Sequence, residues 1–232
     1  MSKPKKLQIS MTEKEQSLCA LYLALQLFVL PGLLNRLNAM LPQSLTDAKL
    51  NFLFFCLNFC CVVLFCRRFL RSSLTHSLRN FWHFAKGLVL GFGLYGLSSF
   101  AFAWLTDQFF PWFSNVNDAS VAQMYRQEPE LMTIGTVLLV PITEELLYRG
   151  LLFQGLHRRS RKAAYVISVT VFCMIHVAGY VGKYDLFTLT LCLVQYIMPS
   201  VILAWSYEQA DSIFAPILIH TTINAMGIYA VR

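Results

Sequence analysis

Charge is what this sequence has least of. Only 13% of its 232 residues are Asp, Glu, Lys or Arg, against about 25% in an ordinary soluble domain. Hydrophobic residues make up 56% and the mean hydropathy is +0.54, so a soluble globular domain is excluded and an integral membrane protein is implied. Motifs are missing as well. There is no CxxC pair, no HExxH and no GxSxG, which removes the usual sequence marks of zinc-ribbon, zincin and α/β-hydrolase chemistry. All seven cysteines fall within or at the ends of apolar stretches, where they read as small packing residues. No internal repeat or low-complexity segment stands out. The net charge of +7 comes from basic residues scattered among hydrophobic runs. Such a distribution suits membrane-flanking charge, and no nucleic-acid partner is expected.

What is present is length of apolar chain. A helix needs about 20 predominantly apolar residues to cross the hydrocarbon core. Seven stretches qualify, near 17–37, 50–66, 84–105, 131–155, 163–181, 186–206 and 212–230. The expected fold class is all-α, a polytopic transmembrane helix bundle of about seven spans. Lys3, Lys5 and Lys6 precede the first stretch, as in a signal peptide. The apolar run is long, however, without a small-x-small cleavage site, and another span follows at once, so an uncleaved helix is expected. Thirteen of the nineteen basic residues fall on one side of seven alternating spans: Lys3, Lys5, Lys6 and Lys14; Arg67, Arg68, Arg71, Arg79 and Lys86; Arg158, Arg159, Arg161 and Lys162. The positive-inside rule then makes the N-terminus cytoplasmic. Phe109, Phe110, Trp112 and Phe113, in the opposite loop, suit an interfacial aromatic belt.

Against this apolar background the stretch VPITEELLYRGLL, residues 140–152, is anomalous. A charge near the bilayer centre costs at least ~2.5–3.5 kcal/mol on insertion scales. On a helix, Arg149 lies four residues after Glu145 and shares its face, so these two can pair. Glu144 points elsewhere and has no local counter-ion. Two later spans supply partners. Phe172 and His176 stand one turn apart, as do His220 and Asn224. Counted from the flanking charges, Glu144, His176, His220 and Asn224 all lie roughly 13–21 Å in from the same boundary. Three separate helices thus direct polar groups at one layer. Each group alone could be a hydrogen-bonded packing residue; together they mark a functional site. Gly150 follows the arginine and suits a close helix approach.

The order and spacing of these residues, Glu144-Glu145-Leu146-Leu147-Tyr148-Arg149, then Phe172 to His176, then His220 to Asn224, resemble the EExxxR, FxxxH and HxxxN motifs of the CPBP family, the CAAX-protease or Abi family of intramembrane proteases. The resemblance covers roughly residues 130–230. It implies a catalytic core over 127–232; hydropathy and the basic flanks give N-terminal transmembrane helices over 17–126 and a basic cytoplasmic tail at 1–16. The resemblance also implies peptide-bond hydrolysis within the membrane, on a membrane-embedded or lipidated peptide or protein; the short chain without a recognisable organelle signal makes a bacterial plasma membrane the expected location. Eukaryotic members that process prenylated CAAX proteins remove a C-terminal tripeptide. Bacterial relatives are linked to bacteriocin self-immunity, peptide maturation or signalling.

Amide hydrolysis needs an activated water, an oxyanion site and a proton for the leaving amine. Glu144 is the expected general base, because removal from water makes a carboxylate a stronger base. His176 would share that water. His220 and Asn224 would donate toward the oxyanion, and Glu145, Arg149 and Phe172 would support the site. A zinc version competes, with Glu144, His176 and His220 as ligands and an open water position. It leaves no base once Glu145 pairs with Arg149, so no cofactor is the preferred expectation, with zinc the alternative. Cys173 lies near His176, yet a thiol in apolar surroundings is usually inert. Two further readings stand beside hydrolysis: a proton- or ion-coupled transporter, and a non-catalytic immunity or scaffold protein.

Overall fold

The computed structural model describes residues 7–231. Lys3, Lys5 and Lys6 of the basic tail lie outside the described residues, as does Arg232. Among the described residues there are ten helices and no β-strand: α1 Glu13–Phe28, α2 Leu30–Ala39, α3 Asp47–Phe65, α4 Arg67–Arg79, α5 Phe81–Phe109, α6 Val116–Gln127, α7 Pro129–His157, α8 Arg161–Val177, α9 Leu186–Ala210 and α10 Phe214–Ala230. Helices α3, α5, α7, α9 and the stretch Arg161–Tyr180 are long and apolar enough to cross a bilayer. Helices α1 and α2 form one such span broken by a 49° bend. The apolar α10 has 17 residues, about 25 Å at 1.5 Å per residue. The bundle is therefore that of an integral membrane protein, and its apolar segments coincide with the seven stretches read from hydropathy. The connecting helices α4 and α6 were not expected from that scan.

The segment before α1 is not a free tail over its described part. Thr12 and Glu15 form a capping box on α1. Glu15, 4% exposed, also accepts from the backbone N–H groups of Arg68 (3.1 Å) and Phe69 (2.9 Å). One carboxylate thus satisfies orphan donors at the start of two helices. Gln154, near the end of α7, accepts from Met11 N (3.3 Å) and donates to the Ile9 carbonyl. The amide of Gln8 donates to Asp211 (3.0 Å), the residue that ends α9 in a left-handed turn with φ 51°. Asp211 also faces His76 of α4 at 3.2 Å. At the same end Glu208 accepts from Arg161 (2.7 and 2.9 Å) and Tyr165 (2.6 Å) and meets His157 (3.1 Å). These contacts gather residues 7–12, helix α4, the 154–161 turn and the 208–213 turn at one end of the bundle. Two stretches of the sequence's one-sided basic charge, 67–79 and 158–162, are therefore neighbours in space.

Close packing of α5 on α9 and α10 depends on glycine. A Cβ at Gly87 would lie 2.7 Å from the Ala210 backbone nitrogen, and one at Gly91 would lie 2.5 Å from Ile219. The Ala210 backbone cannot step aside as a side-chain end can. Gly87→Ala is expected to destabilise the bundle by about 1–3 kcal/mol through overpacking. Thermal denaturation in micelles should show a lower midpoint than wild type; an unchanged midpoint would contradict this contact. Gly150 has the same use on α7: its missing Cβ admits Met11 and Phe69, joining the N-terminal segment and α4 to the site helix.

Candidate active site

Helix α7 is not regular. Pro141 has no N–H to give to the carbonyl one turn back. The preceding turn opens into a π-helical segment, Gly135–Leu139, in which Val140 N bonds Gly135 O. A second π segment, Leu146–Phe153, follows. Glu144 and Glu145 sit on the short α-helical turn between them. Such widened turns recur at functional sites because they re-aim side chains and loosen the backbone ladder.

Glu145 is fully buried. Its Oε1 accepts from Arg149 Nη1 at 3.2 Å and from His220 Nδ1 at 2.8 Å. Arg149 also donates to the Ser200 carbonyl (3.1 Å) and hydroxyl (3.0 Å) on α9, and its guanidinium lies 4.5 Å from the centre of the Phe172 ring. The pairing of Glu145 with Arg149 is as helical spacing required. Glu145 does more, however, than support α7: it ties α7 to α10 through His220. Ser200 was not foreseen, and nothing in the sequence distinguishes it from other hydroxyl residues in apolar spans.

Glu144 faces two imidazoles. Its Oε2 lies 4.0 Å from His176 Nε2 and 3.9 Å from His220 Nε2, and this oxygen has no hydrogen-bond partner among the described residues. The other ring nitrogens decide the tautomers. His176 Nδ1 meets the Phe172 carbonyl at 2.8 Å. A carbonyl can only accept, so this nitrogen carries the proton. His220 Nδ1 meets the Glu145 carboxyl oxygen that also accepts from Arg149, and carries its proton for the same reason. When neutral, both rings turn a lone pair toward Glu144. The Phe172 ring organises this arrangement: its centroid lies 4.5 Å from that of His176, 5.6 Å from that of Tyr148 and 6.0 Å from that of His220. Thr136 Oγ1, Glu145 Oε2, the Tyr148 hydroxyl and Arg149 Nε are also buried without partners among the described residues. Buried polar atoms in native proteins are normally satisfied, so this concentration of them on one stretch of α7 marks a place for water or a polar ligand.

Asn224 departs from expectation. Its Nδ2 donates to the Thr136 carbonyl at 2.8 Å, which ties α10 to the first π segment one turn away from His220. Of the expected pair of oxyanion donors, His220 directs its Nδ1 proton at Glu145 and Asn224 directs one of its two amide N–H groups at the backbone. Helical spacing put the two on one face but carried no information about the neighbouring carbonyl.

A further aromatic enters from α9. The Tyr196 ring stacks on His176 with centroids 4.6 Å apart. Its hydroxyl donates to Asp118 (3.0 Å) and accepts from Asn117 (3.1 Å) on α6, so α6 closes one side of the histidine. A tyrosine beside Gln195 within an apolar span was a visible signal, but α6 itself was not anticipated.

The zinc alternative fits poorly. Ligand atoms about 2.0–2.1 Å from a tetrahedral zinc stand roughly 3.3 Å apart, less than the 3.9 and 4.0 Å found here. No group of three His, Cys, Asp or Glu side chains among the described residues has metal-holding geometry. A water with ordinary hydrogen bonds of about 2.8 Å bridges such gaps easily.

Residues 126–226 match the model of a family described as type II CAAX prenyl endopeptidase Rce1-like, and the matched segment contains Glu144, Glu145, Arg149, Phe172, His176, His220 and Asn224. Among curated proteins, the UPF0177 protein YxdF of Lactococcus lactis subsp. lactis (strain IL1403) is 26% identical over 95 residues, covering 41% of this chain and 47% of that protein. The chain thus spans about half the length of this relative. No solved structure matches. By its three motifs in order and by this match, the 126–226 segment is similar to the type II CAAX prenyl endopeptidase Rce1-like family.

Proposed function

We propose that the protein is an intramembrane endopeptidase that hydrolyses a peptide bond in a membrane-embedded or lipidated peptide, using a water activated by Glu144. The observation that carries this reading is the unpartnered Glu144 Oε2 facing the Nε2 atoms of His176 and His220 at 4.0 and 3.9 Å. Glu144 takes a proton from a water held against these three atoms, and the resulting hydroxide attacks the scissile carbonyl. The proton then passes from the Glu144 carboxyl to the leaving amine. The water has one further proton, which the Nε2 of either His176 or His220 accepts, and the two rings orient it, since their Nδ1 protons are engaged elsewhere. Arg149 neutralises Glu145, and Glu145 in turn fixes the His220 ring. Asn224 holds the register of α10 against α7. The end of the bundle that carries Arg67, Arg68, Arg71, Arg158 and Arg159 faces the cytoplasm, and the membrane is a bacterial plasma membrane.

The test compares peptides released by membranes carrying the wild type and by membranes carrying Glu144→Gln. A product present only with the wild type identifies the bond cut; identical peptide sets would refute hydrolysis. Metal removal adds a second prediction. Exhaustive chelation of the purified protein is expected to leave turnover within about twofold, because general-base catalysis by Glu144 needs no Lewis acid. Loss of activity restored by one equivalent of zinc would transfer the role of Glu144 to a ligand.

A further inference from the structure

Helix α4 presents three parallel rows, each repeating every four residues. Phe69, Ser73 and Ser77 are buried against the bundle, with Ser77 bonded to Ser212 at 2.6 Å. The next row around the helix is Leu70, Leu74 and Leu78, of which Leu74 is 47% and Leu78 68% exposed. The third is Arg71, Thr75 and Arg79, all exposed. At 100° per residue, neighbouring rows stand about 100° apart. The exposed arc of α4 thus carries leucine along one side and arginine along the other. With 13 residues, α4 is too short to cross a bilayer, which takes about 20. It joins two apolar spans, α3 and α5, and must run along the membrane face between them. Phe81 and Trp82, 51% and 83% exposed, follow at once and anchor that face at headgroup level.

Where the arginine row meets the N-terminal segment there is an open cavity of about 310 Å³ lined by Ile9, Arg71, Ser72, Thr75, His76 and Arg79. His76 is matched by Asp211 at 3.2 Å. Neither Arg71 nor Arg79 has a carboxylate within 4.0 Å among the described residues. Two guanidinium groups with no carboxylate within reach among the described residues, beside the Ser72 and Thr75 hydroxyls and a leucine row, complement a phosphate on an acyl-chain carrier. Arginine binds phosphate through paired N–H donors, and a basic in-plane helix gains from anionic lipid.

We propose that α4 and this cavity form a binding site for the headgroup of an anionic phospholipid, with the phosphate between Arg71 and Arg79 and the acyl chains along Leu70, Leu74 and Leu78. Occupancy by lipid braces the N-terminal segment and, through Gly150 and Phe69, the helix that carries Glu144.

The full chain is reconstituted in nanodiscs of phosphatidylcholine containing a tenth phosphatidylglycerol, and the lipids retained after extraction into mild detergent are quantified by mass spectrometry. Phosphatidylglycerol is expected to be retained several-fold above its bulk fraction. Arg71→Gln/Arg79→Gln should abolish that enrichment, and so should Thr75→Asp, which sets a negative charge in the same row without removing an arginine. Arg158→Gln/Arg159→Gln, which lowers basic charge at the same end outside the cavity, should leave it intact. Equal loss in the Arg158/Arg159 pair would overturn a discrete site in favour of diffuse attraction, and no enrichment in the wild type would overturn the proposal outright. Inorganic phosphate at millimolar concentration should not displace the lipid; displacement would mean that the cavity takes the free anion.

Discussion

Glu144→Gln lowers peptide turnover by about 10²–10⁴-fold, the range that a positioned general base supplies, while leaving the melting midpoint of the protein unchanged. The two halves of this result come from the same atom. Glu144 Oε2 has no hydrogen-bond partner among the described residues, so the isosteric amide breaks no contact that holds the fold. The amide can orient a water but cannot take its proton. Glu144→Asp keeps the carboxyl and withdraws it by one methylene, so its turnover should fall between that of wild type and glutamine variant. Steady-state kinetics on the peptide product identified from membranes would report a fall in kcat with KM little changed. A glutamine variant that retains activity within a few-fold would remove Glu144 as base. Should proteoliposomes instead show proton or solute uptake that depends on Glu144, the buried acid would belong to a transport path.

Arg149→Met is expected to cost about 3–5 kcal/mol of stability, the range for removing one partner of a buried ion pair. Both side chains are inaccessible, with 1% and 0% exposure. The substitution would leave Glu145 without its cation and Ser200 without its donor. Its effect should also reach the chemistry, because Glu145 holds the His220 proton on Nδ1. A Glu145 that becomes protonated can no longer enforce that tautomer. The informative partner is the double variant Glu145→Leu/Arg149→Met. It removes both charges together and should recover much of the stability lost in the single variant, as replaced buried pairs often do. Activity should stay low in the double variant, since His220 is still unoriented. Denaturation in micelles measures the first effect and turnover the second. A single variant as stable as wild type would mean that the pair contributes nothing, and recovery of activity in the double variant would refute the tautomer argument.

Hydropathy alone defined the membrane spans, because the bilayer sets a length that a low-charge run either meets or fails. Helical spacing alone defined the Glu145–Arg149 pair, since side chains four residues apart share a face whatever surrounds them. Spacing likewise put Phe172 under His176. The amphipathic helices α4 and α6 escaped notice because averaging over a window cancels an apolar row against a basic or polar one. The partners of His220 and Asn224 lay beyond any local rule. Both sit on one face of α10, yet one meets a carboxylate and the other a backbone carbonyl, according to how the π segments of α7 turn those groups toward α10. Ser200 and Tyr196 became part of the site only through the packing of α9 on α7 and α8. The His220 tautomer was decided in the same way, because its acceptor Glu145 belongs to another helix, whereas His176 donates to the Phe172 carbonyl one turn back on its own helix.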